Sequence, residues 1–311
     1  VEDVRQIHIG DRIFSTVTFM AAFTILATLV GILITLFQES GLSLNKFGFI
    51  DFIFTNEWDP VRELFGAAVP LVGTLLITVL ALGLAIPTSL GIAIFITEIC
   101  PNKLKSTIST AIELLAAIPS IIYGMWGLFT FAPLMSEYIE PFLQETLGEI
   151  PFIGLLFHGA PLGIDLFTAC IVLSIMITPF IASIARDTIE LTPQILRESA
   201  YAVGATQWEV VRDVILPFSK HGIYGGVIIA LGRALGETMA VAFVLGNRHE
   251  FASSLFDATT TITTTLANEF TEADSDIFLS TLFSLALILF VLNFAILAFA
   301  KYIVHRGSKK A

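Results

Sequence analysis

Two opposite charges stand inside one long hydrophobic run, residues 222–246, in the string Gly232-Arg233-Ala234-Leu235-Gly236-Glu237-Thr238. Near the middle of a bilayer each charge costs ~3 kcal/mol on insertion scales, and ionisable residues at that depth default to function. On a continuous helix, Arg233 and Glu237 share one face and can pair. One consequence of that spacing is a salt bridge that locks two helices together. The other is an anion pathway, because the planar guanidinium fork matches phosphate or carboxylate geometry. Glu237 could then accept a hydrogen bond from a protonated oxyanion, or hold Arg233 in place between transport steps. Gly232 and Gly236, like Gly222 and Gly226, are spaced to let a neighbouring helix approach closely.

A second constellation lies in the polar interval 186–221, between two hydrophobic runs. Glu198-Ser199-Ala200 is followed by Gly204, then by Val214-Ile215-Leu216-Pro217. The pattern predicts two short amphipathic helices around a glycine hinge. Thr192 is placed to cap the first, with Pro193 at its first position. Leu196, Ala200 and Val203 form one apolar face, and Gly204 suits a left-handed C-terminal cap. Thr206 and Glu209 form a capping box, Trp208, Val211 and Ile215 line the second helix, and Pro217 ends it. Such a unit is shaped to plug into a groove on a partner protein. Helices that lie in lipid headgroups are rich in Lys and Arg. Here Arg186, Arg197, Arg212 and Lys220 are offset by Asp187, Glu190, Glu198, Glu209 and Asp213, which favours protein docking.

The elements that must position these residues are membrane spans. The 311-residue chain is 55% hydrophobic and 14% charged, with a mean hydropathy of +0.86. A soluble domain carries roughly 25% charged residues, so the composition excludes a soluble protein and predicts an all-α polytopic membrane protein. Six runs are long enough to cross a bilayer: residues 13–37, 69–97, 111–132, 166–185, 222–246 and 277–303. The first lacks a small-residue cleavage signature and is expected to be retained. The chain begins at Val1 rather than methionine, which leaves room for residues upstream. With both termini cytoplasmic, twelve of the 16 Lys and Arg residues fall inside and three outside, a strong positive-inside bias. The lead 1–12, the interval 186–221 and the tail 304–311 are then cytoplasmic. The net charge of −11 collects on the outer loops, where it would repel small free anions, form a solvating shell suited to high salt, or dock a partner with basic patches.

The remaining signals are weaker. Pro87 and Pro119 imply kinks or breaks in the second and third spans, and Pro179 a kink in the fourth. Pro119 followed by Ser120 could free a backbone carbonyl toward a pathway, or could equally be a structural kink. Trp58, in the loop after the first span, reads as an interfacial anchor. The threonine run 259–265, around Ile262, reads as an exposed, β-prone surface loop. Cys100 and Cys170 do not form a disulfide framework. The chain shows no metal-ligand spacing and no Gly-rich nucleotide loop, so it brings no energy-coupling chemistry of its own. No nucleic-acid partner is expected.

The Glu-Ser-Ala, Gly, Val-x-Leu-Pro spacing resembles the EAA loop of ABC-importer permeases, with Ser199 where Ala is usual and Val214 where Ile is usual. Longer strings resemble the phosphate-specific permeases of the PstC type: residues 66–75, 112–128 (IELLAAIPSIIYGMWGL), 198–217, 232–240 (GRALGETMA) and 266–270 (LANEF). The resemblance runs from the first external loop to the last span. It implies a type I ABC importer permease fold with its core at 66–303, after a separate first helix at 13–37. It implies a homologous second permease of the PstA type, a dimeric cytoplasmic ATPase that holds ATP and Mg, and an extracytoplasmic phosphate-binding protein, all assembled in membrane lipid. Glu198, Ser199, Ala200, Gly204, Trp208 and Pro217 would serve ATPase coupling. Arg233, Glu237, Thr238 and Ser120 would lie on the substrate pathway. A PstA-type subunit, a permease for molybdate or sulfate, or a non-transporting membrane scaffold are the competing readings.

Overall fold

The computed structural model describes residues 9–308; the lead 1–8 and the tail residues 309–311 lie outside them. The helices, in order, are α1 (Ile9–Glu39), α2 (Gly41–Phe47), α3 (Phe49–Phe54), α4 (Ala68–Ile94), α5 (Asn102–Ala116), α6 (Ser120–Trp126), α7 (Ala132–Leu134) and α8 (Glu140–Leu147). They continue as α9 (Leu166–Glu190), α10 (Gln194–Ala202), α11 (Gln207–Val210), α12 (Leu216–Leu235), α13 (Met239–Ala242), α14 (Ile262–Glu269) and α15 (Asp276–Ser308). A two-stranded hairpin, β1 (Trp58–Asp59) and β2 (Leu64–Phe65), precedes α4. Among the described residues, five helices are long and apolar enough to cross a membrane, or six if the bent pair Asn102–Ala116 and Ser120–Leu147, at 90°, forms one span. The third run is therefore not one straight span. Pro119 has no N–H to donate and pushes Ile118 out of helical geometry, so the helix stops at Ala116 and restarts at Ser120. Pro87 and Pro179, by contrast, are held inside α4 and α9.

Helix α9 is the central strut, packed against α4, α5 and α12. Its core partners are Ile77, Ala81 and Ala85 of α4 and Ala230 and Ala234 of α12, set against Leu173, Met176, Ile177 and Ile181. Small residues let these helices approach closely, as in membrane interiors generally. Asp165 caps α9, accepting from the Thr168 N–H at 2.9 Å. With Glu140, Asp165 is fully buried, so neither belongs to the charged outer surface that the sequence suggested. Helix α1 packs on α15 and α2, and its apolar face is otherwise open.

Four turns of wider π geometry interrupt the helices: Phe95–Ile99, Gly127–Phe131, Met135–Ile139 and Val211–Ile215. Each ends two residues before a proline, at Pro101, Pro133, Pro141 and Pro217 respectively. The cause is local. A proline ring clashes with the carbonyl four residues back, and a turn one residue wider moves that carbonyl away. At Pro217 this reverses the sequence expectation. The helix does not end there; the Leu216 N–H reaches back to the Val211 carbonyl and Pro217 sits in the first turn of α12.

Candidate functional site

The run holding Arg233 and Glu237 is broken. Helix α12 stops at Leu235, Gly236 takes a non-helical turn, and α13 restarts only at Met239. The expected Arg233–Glu237 pair is consequently absent among the described residues. Without a continuous helix, the four-residue spacing no longer places the two side chains on one face. The Glu237 carboxylate instead turns forward and accepts from the Ala240 N–H at 3.2 Å, satisfying a free donor at the start of α13. Glu237 is 9% exposed.

Arg233 is left to other partners. Its guanidinium carbon lies 4.2 Å from the centroid of the Phe180 ring on α9, a cation–π contact. Its Nε is buried with no hydrogen-bond partner among the described residues. A buried donor without a partner is expensive, and here it belongs to a group suited to oxyanions. Thr238, half-buried, begins α13, with its hydroxyl 3.4 Å from the Gly236 carbonyl. Ser120 opens α6, the segment after the other break, and is also half-buried. Gly124 of α6 lies so close to α13 that a Cβ there would fall 2.7 Å from the Met239 carbonyl oxygen. The two broken segments thus pack on one another, and Tyr123 of α6 bridges its own break by donating to the Leu115 carbonyl at 2.9 Å.

Sequence reasoning missed the group that holds the fifth-span break open. Residues 259–265 are buried, not an exposed β-prone loop. Thr261 and Thr264 cap α14 reciprocally. Thr263 donates to the Glu237 carbonyl, and the Ile262 N–H donates to the Thr74 hydroxyl of α4 at 3.0 Å. The capping signal was present in the threonines themselves. Trp58 also differs from expectation. It stacks on His249 at 4.9 Å and donates its indole N–H to Glu269 at 2.7 Å, inside an aromatic group with Phe65 and Phe278.

At the opposite end of the bundle, α10 and α11 form the helix–glycine–helix unit. Gly204 has φ +89° with open space around it, the left-handed turn expected of it. The capping box is formed, with Thr206 N–H to Glu209 Oε2 at 2.7 Å and Glu209 N–H to Thr206 Oγ1 at 3.4 Å. Thr192 does not cap α10. It is buried with its hydroxyl 3.3 Å from that of Ser219, and Pro193 occupies the cap position. Val203 and Trp208 point outward at 86% and 60% exposure. Ala200, Val211 and Ile215 lie on the inner face as expected, and Val210 joins them there. Arg197 fastens the unit to the bundle: one guanidinium nitrogen pairs with Glu98 beyond α4, the other donates to the Ile189 carbonyl of α9 at 2.8 Å. Glu198 and Ser199 are exposed, and Glu198 lines a 740 Å³ cavity with Lys105, Gln194 and Tyr201. The unit therefore presents carboxylate and apolar groups outward on a fixed mount.

Residues 89–309 match the family model described as "Binding-protein-dependent transport system inner membrane component". A protein of Mesorhizobium japonicum called "Phosphate transport system permease protein PstC" is 49% identical, covering 97% of this chain and 92% of its own length. One of the same name from Pasteurella multocida is 49% identical, with 97% and 94% covered. Among solved structures, a bacterial ABC transporter involved in the import of the acidic polysaccharide alginate superposes with a TM-score of 0.61. It is 16% identical over 95% of this chain and 99% of that one, a likeness of fold. The chain thus has the type I ABC importer permease fold, and it belongs to the family of inner membrane components of binding-protein-dependent transport systems.

Proposed function

We propose that this chain is one of two membrane-spanning subunits of an importer that moves inorganic phosphate into the cell by alternating access. The observation that carries this reading is the half-buried Arg233, held by Phe180 and free of Glu237, with its Nε buried and unpartnered among the described residues. A guanidinium without a carboxylate partner can take up an oxyanion, whereas one already paired must first lose its partner. Arg233 contacts the ion in passing, Thr238 and Ser120 offer hydroxyls along the path, and Glu237 shapes the break that admits it. The printed names of the relatives supply phosphate as the cargo. The other subunit is a homologous permease of the PstA type. An external phosphate-binding protein delivers the ion past an acidic face that would repel it free in solution. Both termini and the 186–221 interval are cytoplasmic.

ATP is hydrolysed in a separate dimeric ATPase, which also holds the Mg ion; this chain has no catalytic role. The exposed face of α10 and α11, with Glu198, Ser199, Gly204 and Trp208, sits in the ATPase groove, and Ala200 holds that face to the bundle from the inner side. Pro217 passes its motion directly into α12, since the helix runs on through it. The test is phosphate uptake by the complete transporter, wild type against Arg233→Gln, with assembly checked by co-purification. Loss of uptake in an assembled complex supports the pathway; unchanged uptake removes Arg233 from it. Competition by sulfate or molybdate distinguishes a permease for another oxyanion.

A further inference from the structure

The polar end of the bundle carries a second cavity, away from the α10–α11 unit's outer face and from the break at Gly236. It measures 490 Å³ and lies between the start of α12 and the end of α15, lined by Lys220, His221, Tyr224, Ile303 and Val304. No carboxylate lines it, and Lys220 and His221 make no ion pair among the described residues. Four other cations at this end are committed: Lys105 to Glu190, Arg186 to Glu113, Arg197 to Glu98 and Arg212 to Asp213. The depth of the cavity is fixed by the sequence on either side. Arg212 and Asp213, about two turns before Lys220, must reach water; from Gly222 onward α12 is apolar up to Arg233. Lys220 is therefore at the headgroup level, ~20 Å along the helix from Arg233 at 1.5 Å per residue. Phe218, Tyr224, Tyr302 and Ile303 are all exposed around the opening, as expected of a surface that faces hydrocarbon. Arg306 lies over the Tyr302 ring at 5.5 Å and Lys301 is exposed nearby in sequence, so α15 adds cations at the same level.

We propose that this cavity binds the phosphate headgroup of an anionic phospholipid, with its acyl chain running down the apolar wall between α12 and α15. A basic pocket between spanning helices suits an acidic headgroup, and Tyr and Lys are interfacial residues that present one apolar and one polar end. The inference rests on the membrane placement of the chain and not on its cargo, so loss of the phosphate-path reading through Arg233→Gln leaves it standing.

The experiment counts lipid retained by the purified, complete transporter after exposure to phosphatidylglycerol or phosphatidylcholine, using native mass spectrometry. Wild type keeps phosphatidylglycerol in preference. Lys220→Gln lowers that retention about fivefold, the factor one cation contributes beside an anionic surface, and Lys220→Arg restores it. Should the Lys220 variants fail to assemble, Val304→Trp fills the cavity from the other helix and expels the lipid equally. Equal retention of both lipids, or unchanged retention in Lys220→Gln and Val304→Trp, overturns the proposal. Displacement by millimolar inorganic phosphate overturns it too, by making a free anion the ligand. So does cross-linking of Tyr224→Cys to the second permease, which would place a protein helix in the groove.

Discussion

Thr263 donates its hydroxyl to the main-chain carbonyl of Glu237 at 2.8 Å, joining the cap of α14 to the break between α12 and α13. Both groups are buried, so Thr263→Val, equal in shape but without the hydroxyl, strands a carbonyl at a cost of ~1–3 kcal/mol. We expect Thr263→Val to lower the thermal stability of the purified complex and reduce uptake, and Thr263→Ser to stay near wild type. A Val variant with unchanged stability would show that water replaces the bond.

Arg233 and Glu237 should behave as independent residues. Their coupling energy in a double-mutant cycle on stability is expected below about 0.5 kcal/mol, the range for sites that share no interaction. Exchanging the two charges, Arg233→Glu with Glu237→Arg, should not restore uptake. Rescue by the exchange would mean that the pair forms in another state of the transport cycle.

Arg197 spans two partners, Glu98 and the Ile189 carbonyl, with two nitrogens. Arg197→Ala leaves Glu98, 9% exposed at its side chain, without its cation. The loss is on the order of 2 kcal/mol in the attachment of the unit, so ATP-driven uptake should fall while the subunits still assemble. Arg197→Lys should recover little, since an ammonium cannot span both acceptors. Uptake by membrane vesicles, beside ATPase activity, decides it.

Two glycines on α4 make a matched test of packing. A Cβ at Gly73 would fall 2.0 Å from the Thr260 carbonyl oxygen, while at Gly83 nothing lies within 4 Å. Gly73→Ala should abolish assembly or shift the whole threonine segment. Gly83→Ala should be neutral or stabilising by up to ~1 kcal/mol, because glycine is entropically costly in a helix. Yield and melting of the complex separate the two.

Asp257 provides a pH test outside the spans. Burial alone would raise its pKa, but donors from Ser253 and Ser254 outweigh it and hold the carboxyl below its usual value. The bonds are 2.7–2.9 Å long. A depressed folded value means that this stabilisation is full above the ordinary carboxylate pKa and is lost as pH falls through the folded one, at and below about pH 4. Protease sensitivity of residues 247–276 should rise in that window, and Asp257→Asn should flatten the dependence.

What the sequence made legible was chemistry confined to a few neighbouring residues. Gly204 and the Thr206–Glu209 box act over one turn, and the structure has both. The long apolar runs gave α1, α4, α9 and α15 to within a few residues, since hydropathy over ~20 positions is a local property. The failures are non-local or concern register. Whether Arg233 meets Glu237 depends on Thr263, far along the chain. Trp58 looked interfacial because His249 and Glu269, its stacking and bonding partners, lie in another loop. The threonines looked exposed because their polarity is satisfied internally rather than by water. Trp208 looked inward because it is spaced to share a stripe with Val211, but the neighbouring Val210 fills the inner position and leaves the indole outside.

That turn, Val211–Ile215, reaches further than its own five residues. A π turn holds one residue more than the α-helix it interrupts, and each residue rotates everything downstream by about 100°. The azimuth of Arg233 on α12 is therefore set far upstream, beside the segment proposed to meet the ATPase. Conversion of the wide turn to a regular one, with no residue removed, would swing the guanidinium off the Phe180 ring, whereas removing one residue from Val211–Ile215 as the turn closes would leave it there. The proline that keeps the turn wide therefore also keeps the compass bearing of the charge.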